Sequence, residues 1–594
     1  MKSKIIEAAL GKSPLDILIT NTKLLNVFTR EIYPAEIGIC EGVIVSVDPP
    51  VHAKQSRSGR DATMVLDAKG KHALPGLVDT HVHIESSMMT PAGFAEAVLP
   101  LGTTTIVTDP HAIGNVLGLR GIRYMLKATE NLPLRVYFQA PSSVPAVPGL
   151  ETAGAEFNGP EITEMLSWER VIGLAEVMDY VGVINQSERM RQVLGAAQQA
   201  QTVISGHCPG LRGADLAAYM VAGPLSDHEG LNEDELLEKL RLGMYVKGRA
   251  SSFNESMTIL GKITTQLGTV PPNLVLCTDD IYPDDLLRYG HMDEVVRKGI
   301  AAGIPAVDLI RAATWNGAQR HRLHQLGAIA PGKWADIILV EDLNNFHADE
   351  VICRGKLVAA GGKMLVEAQT AAAGIEVENT MHISLPITPA GFQMPAHARN
   401  EHAQTAHSVR VQVMVIDPDL RRSLDVRSYP VVAGVLDISG DPDVCLVSII
   451  ERHGRSDNHS RVLVRGLGLQ RGAAATTVSH DCHNLVVIGR DVQDMALAAQ
   501  TLINCGGGIC SVSAGEVQAL LPLPVAGLMN PGRVGEVAAM LEKLNQALTA
   551  QGILQKRPLT GLLSLALPVI PAYGITDFGL VDVGNQTLLP IYVE

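Results

Sequence analysis

The alternation of apolar and polar positions predicts a β-rich domain at both flanks of a longer central region. Four short stretches alternate in this way between glycine turns: 16–19, 37–47, 335–340 and 350–358. Short strands of this kind are typical of a small β-sandwich. We therefore predict one β-sandwich domain, made of residues 1–70 and 321–370, with a second domain inserted between its two halves.

The central region, residues 71–320, consists of apolar strands separated by helical stretches, which is typical of a parallel sheet. Eight candidate strands end in polar clusters: at His81 and His83, 109–111, 140–142, Glu176, His207, His228, 247–249 and Asp279. Eight strands in a region of this size predict a TIM (β/α)8 barrel, whose active site lies at the C-terminal ends of its strands. The polar clusters all fall at such ends.

Beyond the second β-sandwich half, residues 371–400 are rich in proline and small residues and are interpreted as a linker. Residues 401–594 contain further strands, such as 485–489, and a helical stretch at 494–503. They predict a C-terminal α/β domain. The predicted fold class is thus α/β, with a TIM barrel inserted in a small β-sandwich domain and followed by a third domain.

Composition and charge restrict the partners and the location. A formal net charge of -14 argues against nucleic acid and anionic membrane surfaces. No apolar run approaches the roughly 20 residues of a membrane span. Eight scattered cysteines and an N-terminus without an apolar signal core indicate the reducing cytoplasm. We expect a cytoplasmic protein that acts on a small molecule, and a homodimer or higher homo-oligomer, as is common for large barrels.

The end of the first central strand carries half of a metal site. His81 and His83 are separated by one residue, so their side chains point to the same face of the strand. Imidazole is a common metal ligand, and later strand ends supply carboxylates and further histidines. The sequence therefore predicts a metal centre in the barrel mouth.

These residues resemble a known group of enzymes. The paired histidines, the later single histidines, Asp279 and the phrase GAIAPGKWAD at 327–336 together resemble the metal-dependent amidohydrolase superfamily. Within it, four phrases look like the bacterial adenine deaminases: TDD at 278–280, DPH at 109–111, SHDCHN at 479–484 and LPVAGLM at 523–529. The C-terminal phrases are the more specific, because most amidohydrolases lack this third domain.

The resemblance implies two divalent metal ions per subunit, with Mn or Fe favoured and Zn permitted. The implied ligands are His81, His83 and Asp279 for the first metal, and His207 and His228 for the second. Many relatives bridge the metals with a carbamylated lysine on the fourth strand. That strand, GLAEVMD at 173–179, has no lysine, so Glu176 would supply the bridge. The competing interpretation of Glu176 is a structural carboxylate paired with an arginine.

The implied reaction is hydrolytic deamination of adenine to hypoxanthine and ammonia in purine salvage, by a metal-bridged hydroxide that attacks C6. Asp279 would take the hydroxide proton and pass it to the departing amine. An acid must also protonate a ring nitrogen. Glu85 and Glu229 are both candidates for that acid, and the sequence does not separate them. His111 would orient the attack or hold the substrate.

Four residues are predicted to contact the purine base: Ser86, Asp280, His480 and His483. Asp280 equally fits a helix cap, and Ser86 fits the start of a helix. The cluster of His480, Asp481 and His483 is compatible with a further metal site, a lid over the barrel mouth or a hydrogen-bonded strand end.

Three other functions remain open at the level of sequence. A cyclic amide hydrolase of the dihydroorotase or hydantoinase type would use the same nucleophile, although Glu176 in place of lysine and the third domain argue against it. Deamination of a modified adenine is the second alternative. The third is a barrel that has lost catalysis and serves as a scaffold, which predicts gaps among the ligands that the sequence does not show.

Overall fold

The computed structural model describes the residues in the following ranges: 2–48, 61–230, 232–368, 374–396, 407–418, 420–553, 555, 557–563, 565–569 and 572–593. Within these ranges, no helix has both the length and the apolar character that crossing a membrane requires.

The N-terminal flank consists of one helix followed by strands of a mixed sheet. Its described elements are α1 (Lys2–Ala9), β1 (Leu15–Leu25), β2 (Ile32–Cys40), β3 (Val43–Asp48), β4 (Ala62–Asp67) and β5 (His72–Pro75). Strand β1 pairs antiparallel with β2 and parallel with β4 and β5. Because β5 leads directly into the next strand, this sheet lies against the start of the barrel.

The barrel contains eight strands in the described chain. They are β6 (Leu77–Val82), β7 (Thr103–Thr108), β8 (Arg135–Ala140), β9 (Val171–Val177), β10 (Val203–Gly206), β11 (Ser226–Asp227), β12 (Tyr245–Arg249) and β13 (Leu274–Cys277). Strands β6 to β10 pair in sequence order, as do β11 to β13. The Leu225 amide donates to the Ile204 carbonyl at 3.3 Å, and the Asp279 amide donates to the His81 carbonyl at 2.9 Å. These bonds join the two runs of strands, so the predicted TIM barrel is confirmed.

Helices surround these strands. They are α2 (Pro91–Val98), α3 (His111–Leu117), α4 (Leu119–Ala128), α5 (Gly159–Leu166), α6 (Tyr180–Ile184), α7 (Glu188–Gln199), α8 (Gly213–Val221), α9 (Glu233–Arg241), α10 (Met257–Leu267), α11 (Pro283–Tyr289), α12 (Met292–Ala301), α13 (Ala306–Arg311) and α14 (Gly317–Arg320). Helix α9 shows why such segments are helical. Asn232 caps it by accepting the Glu235 amide at 3.0 Å, and its last turn carries Lys239 and Arg241, which complement the helix dipole.

After the barrel, the chain returns to the first sheet. The returning strands are β14 (Ile337–Val340), β15 (Ala348–Cys353), β16 (Lys356–Ala360) and β17 (Lys363–Met364). Strand β14 pairs with β5, which gives a sheet of nine described strands. Ile17 and Ile37 from the first flank share one buried core with Ile337 and Leu339 from the second. The insertion of the barrel into a β-domain is therefore confirmed.

The C-terminal domain combines strands and helices, as predicted. Its described strands are β18 (Ser408–Ile416), β19 (Arg422–Val432), β20 (Val435–Leu436), β21 (Val444–Ile450), β22 (His459–Arg465), β23 (Ala473–Thr476), β24 (Leu485–Gly489), β25 (Gly508–Ser513), β26 (Glu516–Pro522), β27 (Tyr573–Thr576), β28 (Gly579–Asp582) and β29 (Thr587–Leu589). Its described helices are α15 (Val492–Asn504), α16 (Val534–Ala550) and α17 (Pro558–Leu563). Met495 and Leu502 of α15 are buried in a core shared with the sheet.

The segment interpreted as a linker contacts the C-terminal domain. Residues 371–373 and 397–400 of that segment lie outside the described residues. In the described part, Phe392, Met394 and Ala396 are buried in the core of the C-terminal domain. The Ala526 amide also donates to the Val377 carbonyl at 2.7 Å. Residues 374–396 therefore pack as part of that domain.

The C-terminal domain contacts the loops at the active-site end of the barrel. The Thr90 amide donates to the Asn530 carbonyl at 3.1 Å, and the Asn530 amide donates to the Met88 carbonyl at 2.8 Å. Asn484 donates from its side chain to the Thr152 carbonyl at 2.9 Å. The third domain is thereby held against the segment that follows the first barrel strand.

Candidate active site and metal centre

His81 and His83 lie at the C-terminal end of β6 and face the carboxylate of Asp279. Oδ1 of Asp279 is 3.4 Å from Nε2 of His81 and 3.2 Å from Nε2 of His83. Asp279 follows β13 with a φ of 62°, a left-handed conformation that Asp adopts more readily than most residues. That conformation combines backbone bonds to β6 with a carboxylate directed at the two histidines. The structure therefore brings together the three ligands predicted for the first metal.

Glu176, at the end of β9, lies at the centre of the site. Its Oε2 is 2.9 Å from Nδ1 of His207 and 3.1 Å from Nε2 of His228. Its Oε1 is 3.4 Å from Nε2 of His83. One carboxylate thus contacts histidines from both predicted ligand sets, as a bridging ligand would.

The electrostatic environment keeps Glu176 ionised. Burial by itself would raise the pKa of Glu176, but the charge of His81 and the hydrogen bonds of His207 and His228 hold it well below its usual range. Among the described residues the recorded partners of its carboxylate are histidines, not an arginine. The alternative of a structural Glu–Arg pair is therefore wrong.

The donor atoms fit a divalent metal. Both ring nitrogens of His81 and Nδ1 of His228 are buried without a hydrogen-bond partner among the described residues. Leaving a buried polar atom unsatisfied costs about 1–3 kcal/mol, and coordination would remove that cost. Five groups of described residues have ligand atoms within 4.8 Å of one another, and two of them consist of predicted ligands only: His81, His228 and Asp279, and Glu176, His207 and His228. Imidazole and carboxylate donors of this kind suit first-row divalent metals.

Arg249, at the end of β12, forms hydrogen-bonded ion pairs with two carboxylates. The sequence did not reveal this role. Its Nη1 donates to Asp279 and to Glu229, and its Nη2 donates to Oε2 of Glu229 at 3.0 Å. Burial would raise the pKa of Glu229, but the Arg249 charge lowers it below its usual value. The same charge is the main cause that holds the pKa of Asp279 well below its usual range against burial. The position of Arg249 at a barrel strand end was the available signal.

Glu85 has the opposite environment. It lies in the 3₁₀ turn Ile84–Ser87 and is 2% exposed. Its Oε1 accepts the Ile113 amide at 3.2 Å, and its Oε2 has no partner among the described residues. Burial raises the pKa of Glu85. The two glutamates that the sequence does not separate therefore differ: Arg249 lowers the pKa of Glu229, and burial raises the pKa of Glu85.

His111, the first residue of α3, adjoins the centre. Its Nδ1 is 3.3 Å from Oδ2 of Asp109 and 3.7 Å from Oε1 of Glu176. On the opposite side of the ring, Nε2 is 3.6 Å from Oδ1 of Asp481, which belongs to the C-terminal domain. The sequence places Asp109 and Asp481 in polar clusters but does not pair them with His111.

Ser86 and Asp280 contact each other at the barrel mouth. The Ser86 hydroxyl donates to Oδ1 of Asp280. The helix after Asp280, α11, begins at Pro283 with Tyr282 at its N-cap, so Asp280 does not cap that helix. In the sequence, Ser86 directly follows Glu85, and Asp280 directly follows Asp279.

His480 and His483 lie in the connection between β23 and β24, and their rings are 5.5 Å apart. The ring of His480 is 6.3 Å from that of Phe253, which belongs to a barrel loop. Nδ1 of His483 accepts the Ser479 amide at 3.2 Å. His480 therefore contacts a barrel loop, whereas the hydrogen bond of His483 lies within the connection itself.

A cleft of about 1300 Å³ opens at the same junction. Phe253, Arg557 and Glu542 are among the residues that line it. The ring of Phe253 is also 6.3 Å from the ring of His480, which does not itself line the cleft.

Family models and relatives agree with this architecture. The amidohydrolase family model matches residues 72–358, and the model of the adenine deaminase C-terminal domain matches residues 421–587. A TIM barrel with this cluster of histidines and carboxylates and these matches define a metal-dependent hydrolase of the amidohydrolase class. A solved adenosine deaminase from Xanthomonas campestris is similar to 59% of this chain and covers 94% of its own, at 17% identity and a TM-score of 0.44.

The family follows from similarity over the whole chain. Adenine deaminase 2 of Rhizobium meliloti (strain 1021) is 41% identical over 99% of this chain and 96% of its own length. The adenine deaminase of Moorella thermoacetica is 40% identical over 98% of this chain and 96% of its own. The chain belongs to the adenine deaminase family.

Proposed function

We propose that this chain catalyses the hydrolytic deamination of adenine to hypoxanthine and ammonia. The observation that carries the proposal is the position of Glu176, which contacts His83, His207 and His228 in the barrel mouth of a member of this family. A carboxylate here replaces the carbamylated lysine expected of many cyclic amide hydrolases. The same observation therefore argues against the dihydroorotase or hydantoinase type of reaction.

The proposed cofactor is a pair of divalent metal ions, with Mn or Fe favoured and Zn permitted by the donor set. The residues that would hold them are His81, His83, Glu176, His207, His228 and Asp279. When bound, such ions lower the pKa of a water molecule toward about 7 and so supply the nucleophile at neutral pH.

Asp279 is assigned to proton transfer. Arg249 holds its carboxylate ionised and fixes one of its oxygens, so that Asp279 can accept the proton of the attacking hydroxide and pass it to the amine that leaves C6. Ammonia then departs, and the carbonyl of hypoxanthine remains at C6.

Glu85 is assigned as the acid that protonates the ring nitrogen next to C6. It is buried, its pKa is raised, and its Oε2 is free of hydrogen bonds within the described residues, so the protonated oxygen is available to a substrate. Glu229 is unsuited to this step, because Arg249 occupies both of its oxygens.

The remaining residues are assigned to binding and orientation. Ser86 and Asp280 are placed at the purine base, because their bonded pair lies beside Glu85 and Asp279. His111 is assigned to orienting the attack, because its ring adjoins Glu176. For His480 and His483, contact with the base stays a prediction, as do a homo-oligomer, a cytoplasmic location and a role in purine salvage.

The test uses the purified full chain loaded with Mn²⁺. Adenine, an N6-substituted adenine and a cyclic amide such as dihydroorotate are compared by ultraviolet difference spectra and ammonia release. We expect turnover of adenine and none of the cyclic amide. Preferred turnover of the substituted adenine would support the second alternative, and no turnover of any purine by the loaded chain would reject the proposed function.

A further inference from the structure

The junction of the barrel and the C-terminal domain contains a second cluster of metal-ligating side chains. His111 comes from the barrel helix α3, and His480 and Asp481 come from the β23–β24 connection. Each residue offers one ligand atom, and these atoms lie within 4.8 Å of one another. The three residues are 5%, 8% and 4% exposed. None of them is among the six residues assigned to the proposed catalytic metals.

Asp109 orients His111 for coordination. Because Nδ1 of His111 faces Oδ2 of Asp109 at 3.3 Å, Nε2 faces the other way, toward Oδ1 of Asp481 at 3.6 Å. A carboxylate that holds one ring nitrogen while the other faces the metal is the usual arrangement of a metal-ligating histidine. A four-coordinate metal with ligand bonds of about 2.0–2.2 Å holds its ligands about 3.3–3.6 Å apart, close to the observed separation.

Two atoms of the cluster are buried without a partner. Nε2 of His480 and Oδ2 of Asp481 make no hydrogen bond to any described residue. The recorded ion-pair partners of Asp481 within 4.0 Å are His111 and His480, with no lysine or arginine from the described part of the chain. An unpaired buried carboxylate is unfavourable, and a bound cation would neutralise it.

Two further acidic residues, Glu151 and Asp577, interact electrostatically with Asp481 or with each other. Burial first, and then the charges of Asp481 and Asp577, raise the pKa of Glu151 to about 8. Asp577 itself is tied to Thr152, because it accepts that residue's amide at 2.9 Å and its hydroxyl at 2.6 Å. Glu151 belongs to the barrel and Asp481 and Asp577 to the C-terminal domain, so the carboxylates of the C-terminal domain already disfavour a further negative charge on the barrel side of the junction.

We propose that His111, His480 and Asp481 bind a third divalent metal ion, which joins the C-terminal domain to the barrel mouth. Two imidazoles and one carboxylate suit Mn²⁺, Fe²⁺ or Zn²⁺. The ion needs ligands from both domains, so its site forms only when the two domains are docked. It lies beside the proposed catalytic centre, since Nδ1 of His111 is 3.7 Å from Oε1 of Glu176.

The test counts metal ions in the full chain. Metal is removed with a chelator, the chain is reloaded with Mn²⁺ and desalted, and bound Mn²⁺ is measured by elemental analysis. We expect three Mn²⁺ per wild-type chain and two in Asp481→Asn and in His480→Gln. The matched control is His483→Gln, which should keep three, because His483 is not in the group of ligand atoms formed by His111, His480 and Asp481, and its Nδ1 accepts the Ser479 amide.

Two Mn²⁺ in the wild-type chain, or three in both variants, would overturn the proposal. An unchanged count together with a raised KM for adenine would also overturn it, because His480 or Asp481 would then contact the base. Near-ultraviolet circular dichroism identifies a variant that misfolds, and if both misfold, the wild-type count decides alone.

The count is independent of catalysis. Glu176→Gln should lose Mn²⁺ from the proposed catalytic centre and keep one ion, because Glu176 is not a ligand of the third site. A wild-type chain that holds three ions and does not deaminate adenine would contradict the proposed function alone. A chain that deaminates adenine with two ions would contradict the third site alone.

Discussion

Arg249 Nη2 donates to Oε2 of Glu229 at 3.0 Å, and Nη1 of the same guanidinium contacts Glu229 and Asp279 together. The partly buried ion pair of Arg249 and Glu229 distinguishes Glu229 from Glu85, two glutamates that are equivalent by sequence. Arg249 stabilises the charge on Glu229, whereas Glu85 makes no ion pair with a lysine or arginine of the described chain and accepts a backbone amide from Ile113. The protonated acid of the reaction is therefore assigned to Glu85.

Exchanging each glutamate for glutamine tests this assignment. We expect Glu85→Gln to lower kcat by about 10²–10⁴-fold, the range of a lost general acid. Glu229→Gln keeps the shape of the Arg249 contact and should lower kcat by less than about 10-fold, with a lower Tm because a buried ion pair is broken. Both are followed by steady-state kinetics and thermal unfolding, and a larger kcat loss in Glu229→Gln would reverse the roles.

The eight strand ends were predictable because apolar runs mark barrel strands and the fold brings their ends together. Glu85 and Glu229 could not be separated, because the partners that decide their protonation, the Ile113 amide and Arg249, lie 28 and 20 residues away in the sequence. The approach of Asp481 to His111 depends on how two domains dock, which no local pattern records. Side chains that a single strand positions can thus be predicted from the sequence. Contacts between separate elements cannot.

Arg249→Lys should weaken proton transfer more than substrate binding. Lysine keeps the charge but cannot donate to Glu229 and Asp279 with a planar fork. We expect kcat to fall by about 10–100-fold, as for other residues that orient a reacting group, with little change in KM. The measurement is kcat and KM for adenine, in the variant and in the wild-type chain, each fully loaded with Mn²⁺. A changed KM at unchanged kcat would place Arg249 in substrate binding instead.

Ser86→Ala should raise KM for adenine. The hydroxyl of Ser86 donates to Asp280, and its loss leaves Asp280 without that contact at the barrel mouth. A lost charge-assisted hydrogen bond of about 1.5–3 kcal/mol corresponds to roughly a 10–100-fold rise in KM. Ser87→Ala is the matched control, since Ser87 donates to the Ile84 carbonyl at 2.6 Å within its own turn. That variant should lower Tm and leave KM within about threefold.

His453 should make the C-terminal domain less stable in acid. Burial first, and then the Arg452 charge, lower the pKa of His453 from 6.5 to about 3. The unfolded chain therefore binds a proton that the folded chain excludes between about pH 6.5 and 3, so stability is full above pH 6.5 and falls as pH falls through this window. In His453→Gln, where the amide can still donate to the Cys482 carbonyl, this contribution is absent.

The readout is the difference in Tm between the wild-type chain and His453→Gln from pH 7 to pH 4. Each unit of pKa shift corresponds to about 1.4 kcal/mol, so the two curves should converge or cross as pH falls. Parallel curves over the whole range would show that His453 keeps an ordinary pKa in the folded protein.

Removal of the C-terminal domain should abolish catalysis and not merely lower stability. A chain ending at residue 368 loses the Asn530 backbone bonds to Met88 and Thr90, which flank the turn that carries Glu85. It also uncovers apolar side chains such as Met89 and Phe94, which lie in a core continuous with Leu528 and Met529 of the third domain. Exposed apolar surface of this kind promotes aggregation.

Light scattering and adenine turnover distinguish the outcomes for this truncated chain. Mixing it with a separately produced fragment of residues 374–594 is the control, because reassembly should restore some turnover if docking alone is missing. A monomeric, folded barrel with full activity would show that the C-terminal domain is dispensable for catalysis and would contradict this prediction.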